Sequence, residues 1–236
     1  MRLGVNIDHV ATLRQARGEG LPDPIAAAQI CEQAGGDSVV CHLREDRRHI
    51  NDDDLRNLRR IVGTKLNLEM SCAQDIVDIA LSVLPEQATV VPERRKELTT
   101  EGGLDVVANQ KLVEQVAKRL GSAGISRSLF IDPEKSQIET AKRIGVECIE
   151  LHTGRYANAS SKSEVTQQLR ALMQSAKFAR SLGLKVFAGH GLNYENVKRI
   201  TEIKEIEELN IGHSIISRAV FVGLEDAVKE MLALVK

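Results

Sequence analysis

The segment RSLFIDPEKSQIETAKRIGVECIELHT (127–153) contains a complete strand–helix–strand unit. Its ends, RSLFID (127–132) and CIELHT (148–153), are short apolar runs that close on polar residues, which is typical of buried parallel strands. Between them, PEKSQIETAKRIG (133–145) has apolar residues at spacings of three and four, which predicts a helix. Two parallel strands joined by a helix indicate the α/β class.

The same alternation of apolar runs and helical patterns occupies the rest of the chain. The other predicted strands are LGVNID (3–8), SVVCHL (38–43), KLNLEM (65–70), ATVVP (88–92), KVFAGH (185–190) and ELNIGH (208–213). The other predicted helices cover residues 24–35, 53–63, 73–84, 109–124, 166–183 and 224–236. Eight units of about thirty residues each predict one (β/α)8 TIM barrel domain over residues 1–236. A doubly wound open sheet is the alternative, but no GxGxxG motif follows the first strand.

Glycine, aspartate and proline mark the expected ends of several helices. A left-handed C-cap is expected where five predicted helices run into glycine, at Gly35, Gly63, Gly124, Gly145 and Gly183. Asp23 before Pro24 and Asp132 before Pro133 predict helix N-termini. These signals support the alternation of strands and helices.

Composition and charge narrow the class of protein. With 42% hydrophobic residues the chain can bury a substantial core, and its formal net charge of −1 provides no basic field for nucleic acid. No apolar run approaches the length of a membrane span, so we predict a cytoplasmic protein that binds small molecules rather than nucleic acid or membranes. The four cysteines have no CxxC spacing and are expected to be buried free thiols.

All six histidines lie at or just beyond the ends of predicted strands. The carboxyl ends of barrel strands meet at one face, where function is usually located. We therefore expect one shared site near His9, His42, His49, His152, His190 and His213. The alternative for each is a structural imidazole, and this alternative is strongest for His152.

Two carboxylates end predicted strands at the same face. Glu69 closes the third strand, and Glu150 lies near the end of the sixth. A carboxylate is costly to bury without a partner or a purpose, so these two groups are candidate acids and bases with tunable pKa values. The alternative is that they, or Asp8, form structural ion pairs with Arg44 or Arg47.

The ends of the seventh and eighth strands predict phosphate binding. Gly189-His190-Gly191 and Gly212-His213-Ser214 lie where barrels commonly hold a phosphate between backbone amides and a short helix. The lysines within predicted strands, Lys65 and Lys185, begin their strands and so lie at the opposite end of the barrel. A Schiff-base lysine is therefore not expected.

Three connections are longer than a barrel requires: residues 9–24, 93–105 and 154–164. In the second, Gly102-Gly103 provides hinge freedom, which predicts a mobile lid over the site. The alternative for its basic run Arg94–Lys96 is a solvated surface.

Seven motifs carry a family resemblance. They are VNIDHVATLRQARG (5–18), HLREDRRHI (42–50), NLEM (67–70), TTEGGLDV (99–106), IELHTG (149–154), AGHGLNYENV (188–197) and ELNIGHSII (208–216). In this order they resemble the pyridoxine 5′-phosphate synthase family of the deoxyxylulose-phosphate-dependent route to vitamin B6. The resemblance implies a (β/α)8 barrel with extra helices, a homo-octamer, and a transferase-type enzyme. Such an enzyme condenses 1-deoxy-D-xylulose 5-phosphate with 3-amino-2-oxopropyl phosphate and releases phosphate and water.

The resemblance also implies residue roles. It makes His42 and Glu69 proton acceptors, Glu150 a transition-state stabiliser and His190 a proton donor. It places 3-amino-2-oxopropyl phosphate at Asn6, Arg17, Gly191, Gly212 and His213. It places the sugar phosphate at Asp8, His9, Arg44, His49 and Thr99. Because the substrate supplies the amine and no redox step occurs, neither a metal nor an organic cofactor is expected.

Two other functions could use the same residues. In a metalloenzyme with aldol or hydrolytic chemistry, a divalent ion would be held by some of His42, Glu69, Glu150, His152, His190 and His213. A regulator that binds phosphorylated metabolites would keep the site without turnover. Metal analysis distinguishes the first function, and ligand binding without product formation distinguishes the second.

Overall fold

A computed structural model of the protein describes residues 1–93 and 102–236. Eight parallel strands form a closed barrel in sequence order, with the last strand paired to the first. The strands are β1 (Arg2–Asn6), β2 (Ser38–Leu43), β3 (Leu66–Met70), β4 (Gln87–Val90), β5 (Ser126–Ile131), β6 (Cys148–His152), β7 (Lys185–Gly189) and β8 (Ile206–Ile211). The predicted barrel and its eight strands are confirmed, and the open-sheet alternative is wrong because β1 pairs with β8.

Helices connect successive strands. They are α1 (Asp8–Arg17), α2 (Pro24–Gln33), α3 (Asp52–Ile61), α4 (Gln74–Val83), α5 (Gln110–Ser122), α6 (Lys135–Ile144), α7 (Gly154–Ala157), α8 (Lys162–Ser181), α9 (Val197–Ile200), α10 (His213–Val222) and α11 (Leu224–Val235). The seven predicted helices correspond to α2, α3, α4, α5, α6, α8 and α11, with ends that differ by at most four residues. These predictions are confirmed.

Two helices of ten residues, α1 and α10, lie where the sequence pattern predicts none. Residues 9–24 are expected to form a long connection, but α1 begins directly after β1. It buries the charged residues Asp8 and Arg14 as well as Val10, so its apolar periodicity is weak. Arg14 is stabilised by a bidentate ion pair with Asp54, with both N–O distances 2.7 Å. Both helices agree with the extra helices that the family resemblance implies.

Most helix-end predictions are confirmed. The glycines that adopt positive φ after a helix as expected are Gly35 (101°), Gly124 (78°), Gly145 (86°) and Gly183 (80°). The side chain of Asp23 accepts a hydrogen bond from the amide of Ile25 and caps α2, whose first residue is Pro24.

Two helix-end predictions are wrong. Gly63 is not left-handed, because α3 ends earlier and is followed by Val62 in an extended conformation. Asp132 does not cap α6, which begins at Lys135. The Asp132 carboxylate instead contacts Nδ1 of His152.

The inside of the barrel is polar. Asn67 of β3 accepts a hydrogen bond from Thr89 of β4, and both side chains are fully buried. At the amino ends of the strands, Glu208 is buried and accepts a hydrogen bond of 2.6 Å from Lys65. Lys65 precedes β3 and Lys185 begins β7, which confirms that both lysines lie opposite the histidines. The apolar residues that alternate with these polar ones pack against the surrounding helices.

Two predictions from composition concern the cysteines and the membrane. Cys31, Cys41 and Cys148 are buried free thiols, and Cys72 is a half-buried one. Burial raises the pKa of Cys31 to about 12 and the pKa of Cys72 to about 11, so both thiols are unreactive at neutral pH. In the two ranges that the structure describes, no helix combines the length and hydrophobicity needed to cross a bilayer.

Candidate active site

The carboxyl ends of the strands and the connections after them enclose a cavity of about 620 Å³. Twelve of the fourteen predicted site residues line it: Asn6, Asp8, His9, His42, Arg44, His49, Glu69, Glu150, His190, Gly191, Gly212 and His213. The lining also contains residues that the sequence did not single out, among them Phe130, Asn193 and Asn210. Barrel closure therefore brings almost the whole predicted set to one place.

Two predicted residues are not placed at the cavity. Arg17 is the last residue of α1, where its side chain is 77% exposed and forms an ion pair of 3.0 Å with Glu19. Thr99 lies outside the described residues, as do most of the predicted lid and its basic run. The proposed contacts of Arg17 and Thr99 with substrate stay predictions.

The two predicted carboxyl groups, Glu69 and Glu150, both line the cavity, and both have raised pKa values. Burial, followed by repulsion from Glu150 and Asp8, raises the pKa of Glu69 well above its usual value. Burial also raises the pKa of Glu150 to about 7, although a hydrogen bond of 2.6 Å from Asn210 favours its ionised form. Because repulsion between the two carboxylates disfavours double ionisation, the pair can hold a proton near neutral pH. Such a group can give or take a proton during catalysis.

The arginines considered as partners for these carboxylates have other partners. Arg47 pairs with Asp52 and Asp75, and Arg44 lies 3.6 Å from Asp46 and from Glu93. Glu93 follows β4, and its side chain is 4% exposed. Sequence reasoning missed Glu93 because it assigned this position to the start of the predicted lid.

Asp8 orients the ends of β1 and β2. Its carboxylate accepts a hydrogen bond of 2.8 Å from the backbone amide of His42 and one of 3.0 Å from the side chain of Asn6. His42 in turn pairs in register with Glu69 of β3. The carboxylate of Asp8 thereby fixes the position of His42 beside Glu69.

Most of the cavity histidines are biased toward the neutral form. Burial lowers the pKa of His9, His49 and His190, for His190 to about 4. The His9 and His213 rings pack edge to face with centroids 5.0 Å apart, and His213 lowers the pKa of His9 further. A bound anion would reverse this bias, because a phosphate favours the imidazolium form.

One side of the cavity has the geometry of an anion site. The first residue of α10 is His213, and Gly212 and Ser214 also line the cavity at the start of that helix. Gly212 is packed so tightly that an added Cβ would lie 2.9 Å from Cβ of Asn6. Gly191, with φ of 79°, allows the chain after β7 to turn beside it. Backbone amides at a helix N-terminus favour a phosphate here.

His152 is the one histidine that does not line the cavity. It ends β6, is buried, and its Nδ1 atom lies 2.9 Å from the carboxylate of Asp132. The position of His152 therefore favours a structural role for this residue. Its ring nevertheless packs against the ring of His190, with centroids 5.1 Å apart.

The structure brings together only some of the ligands that the metalloenzyme alternative requires. Of its six candidate ligands, His42 and Glu69 come together, joined by Asp8, with ligand atoms within 4.8 Å of one another. The raised pKa of Glu69 disfavours the ionised form that a metal requires. His152 is turned to Asp132 instead.

Fold and site together define a (β/α)8 barrel whose cavity, at the carboxyl ends of the strands, is lined by histidines and buried carboxyl groups. A family model described as pyridoxal phosphate biosynthesis protein PdxJ matches residues 3–236. The chain belongs to this family.

Relatives of similar length have a more specific name. The chain is 56% identical to pyridoxine 5′-phosphate synthase of Coxiella burnetii (strain Dugway 5J108-111), an alignment that covers 100% of this chain and 98% of the relative. It is 57% identical to the protein of the same name from Geobacter sp. (strain M21), with the same coverage.

Solved structures share the fold at low sequence identity. Phosphoribosyl anthranilate isomerase from Thermus thermophilus has a TM-score of 0.61 and 12% identity, with 99% of this chain and 98% of that chain covered. The tryptophan synthase A-subunit from Pyrococcus furiosus has a TM-score of 0.65 and 11% identity, with coverages of 98% and 97%. These similarities support the barrel fold and nothing narrower.

Proposed function

We propose that the protein is a pyridoxine 5′-phosphate synthase. It condenses 1-deoxy-D-xylulose 5-phosphate with 3-amino-2-oxopropyl phosphate to form pyridoxine 5′-phosphate, phosphate and water. The observation that carries this proposal is the pair of carboxyl groups with raised pKa values, Glu69 and Glu150, in one cavity with five histidines and an anion-binding end. Family membership and the names of the relatives support it.

The reaction needs several proton transfers in sequence. The substrate amine attacks the ketone, and the carbinolamine then loses its hydroxyl as water. His190 supplies the proton to the departing oxygen. Glu69 and His42 remove protons from carbon, and the raised pKa of Glu69 makes its ionised form a stronger base. Glu150 stabilises the positive charge that develops on the imine nitrogen.

Two phosphorylated substrates require two anion sites. Asn6, Gly191, Gly212 and His213 provide one at the start of α10, and Arg17 is assigned to the same phosphate. Asp8, His9, Arg44 and His49 also line the cavity and are assigned to the sugar phosphate, with Thr99. Burial biases His9 and His49 toward the neutral form, and a bound phosphate favours their imidazolium form, which strengthens binding.

Three further properties belong to this proposal: a transferase-type reaction, a cytoplasmic location and a homo-octamer. Self-association is supported by an exposed apolar pair at the end of α10, where Val220 is 69% and Phe221 is 84% exposed. Large exposed apolar side chains side by side are typical of protein interfaces.

Incubation of the purified protein with both phosphates tests the proposal. Pyridoxine 5′-phosphate is expected by mass spectrometry, together with inorganic phosphate in equal amount. Each substrate alone is the control. Binding of both substrates without product would favour the regulator, and turnover that requires an added divalent ion would favour the metalloenzyme.

A further inference from the structure

Three neighbouring strands end in a row of interacting side chains. Asp132 follows β5, His152 ends β6 and His190 follows β7. Oδ1 of Asp132 lies 2.9 Å from Nδ1 of His152, and the His152 ring lies 5.1 Å from the His190 ring, centroid to centroid. Only His190 lines the cavity. The proposed proton donor is therefore backed by a buried imidazole and a carboxylate that the roles assigned so far do not use.

The carboxylate determines which nitrogen of His152 carries the proton. The hydrogen bond from His152 lowers the pKa of Asp132; burial opposes this, and the Gly103 amide and the charge of Arg155 add to the lowering. Asp132 is thus ionised at neutral pH and accepts from Nδ1–H of His152. Nε2 of His152 is buried and has no hydrogen-bond partner among the described residues. An orphan nitrogen of this kind is unusual in a buried imidazole.

The His152 ring is confined on its other sides. The Phe130 ring lies 5.2 Å away in an edge-to-face arrangement. Gly154 packs so closely against the imidazole that an added Cβ would collide with Nε2. A ring held by Asp132, Phe130 and the backbone at Gly154 cannot rotate without displacing one of them. His152 is consequently a rigid surface for His190.

The residue after His152 fixes the backbone of His190. The Thr153 side chain is fully buried, and its hydroxyl lies 2.6 Å from the carbonyl oxygen of His190 and 2.7 Å from that of Gly189. The Thr153 amide donates a hydrogen bond to Gly189. His190 has φ of 80°, a conformation that is uncommon outside glycine and persists where the surroundings enforce it. The end of β6 thus constrains both the ring and the backbone of His190.

We propose that His152, held by Asp132, is the positioning residue of His190. It sets the ring plane of His190 toward the cavity and, when charged, disfavours a second positive charge beside it. This inference rests on the proposed function only in giving His190 the role of proton donor. The geometry that carries it is independent of the substrate.

The pKa of His190 provides a direct measurement of its interaction with His152. Burial lowers its pKa to about 4, and repulsion from His152 and from His9 in α1 contributes. Asp132 lies behind His152, and Glu150 of β6 opens onto the same cavity. Removal of His152 leaves burial and His9 in place, so the pKa of His190 is expected to rise but to stay below its usual value.

The main test uses His152→Asn, which retains a donor for Asp132 and removes the ring edge that packs on His190. We expect kcat to fall roughly 10- to 100-fold, the loss common for residues that orient a reacting group, with KM changed little. In the ligand-free variant, the NMR titration of the His190 imidazole is expected to move to higher pH. Asp132→Asn is the second variant, and the same kinetic and NMR measurements on it test the proposal if His152→Asn does not fold.

Ser175→Ala is the matched control. It removes a hydrogen bond of 2.8 Å to the carbonyl of Pro133, next to Asp132, without a contact to either histidine. Unchanged kcat and an unchanged His190 titration in a folded His152→Asn protein would overturn the proposal, as would an equal loss in Ser175→Ala. The NMR titration does not require turnover, so a wild-type protein that makes no pyridoxine 5′-phosphate would refute the proposed function without affecting this test.

Discussion

Nε2 of His42 lies 3.5 Å from Oε2 of Glu93, and both atoms are buried without a hydrogen bond among the described residues. Each atom is therefore a suitable hydrogen-bond partner for the other. Burial alone would raise the pKa of Glu93, but the approach of His42, the Glu45 amide and Arg44 outweigh it and lower the pKa. An ionised carboxylate thus faces the proposed base. Hydrogen bonds at catalytic sites are often this long before substrate binds.

Glu93→Gln is expected to lower kcat roughly tenfold, because an amide keeps the shape and the bond from the Glu45 amide but removes the charge that orients His42. Steady-state kinetics measure this loss. Glu86→Gln, at the other end of β4, is the matched control, since Glu86 also accepts from a backbone amide, that of Leu66. Equal activity in both variants would mean that Glu93 serves only to connect its own loop to the loop that contains Glu45.

Glu69→Gln is expected to keep the fold and substrate binding while turnover falls by about 10²-fold or more, the usual scale for the loss of a general base. Calorimetric binding of each phosphate and circular dichroism check the first expectation, and product formation checks the second. Near wild-type turnover would remove Glu69 from the catalytic set.

The stability of the protein should decrease as Glu150 ionises. The folded-state pKa of about 7 lies above that of the unfolded chain, so the native state binds more protons between these values and stability falls as pH rises through this window. Above pH 7 the cost is constant, about 3 kcal/mol. In Glu150→Gln this cost is absent, and its free energy of unfolding relative to wild type should increase between about pH 5 and 7.

Urea unfolding at several pH values measures this difference. Glu164→Gln is the control, because hydrogen bonds from Ser160 lower the pKa of Glu164 and its titration falls below the window. A difference between Glu150→Gln and wild type that does not change with pH would contradict the raised pKa of buried Glu150.

Activity should survive chelation. Asp8, His42 and Glu69 could hold an ion geometrically, but the raised pKa of Glu69 disfavours the ionised form that binds an ion. We expect full turnover after prolonged dialysis against a chelator, with elemental analysis confirming that metal has been removed. Activity that disappears and returns with zinc or manganese would establish the metalloenzyme alternative.

Phe221→Glu should reduce the molecular mass in solution. A charge at the most exposed apolar residue of α10 would oppose burial of that surface in an interface. Light scattering measures the mass, and Met173→Glu on α8 is the control, since Met173 is only 39% exposed. An octamer that persists in Phe221→Glu would place the interface elsewhere.

The barrel was predictable because its signals are repetitive and local. Each strand is a short apolar run, and most connections end in a glycine such as Gly145 that adopts the left-handed conformation. The helix α1 was missed because buried Arg14 is paired with Asp54, a contact between residues forty positions apart that no local pattern contains.

Twelve of the predicted site residues share one cavity because they end strands or follow them, and strand ends converge in any barrel. Glu93 and Asp132 were misread for the opposite reason. Their local sequence resembles a surface loop and a helix N-terminus, while their partners His42 and His152 lie on other strands. Roles of this kind depend on distances that only the closed barrel defines.

The packing of Gly212 against Asn6 joins the first strand of the chain to the last. Fragments that end before β8 would already contain the paired carboxyl groups of β3 and β6, but not the amides at the start of α10. During synthesis, the proposed phosphate site at this end therefore forms only after the final strand has closed the ring. A truncated or nicked chain should therefore lose the proposed phosphate site before it loses the carboxyl groups of β3 and β6.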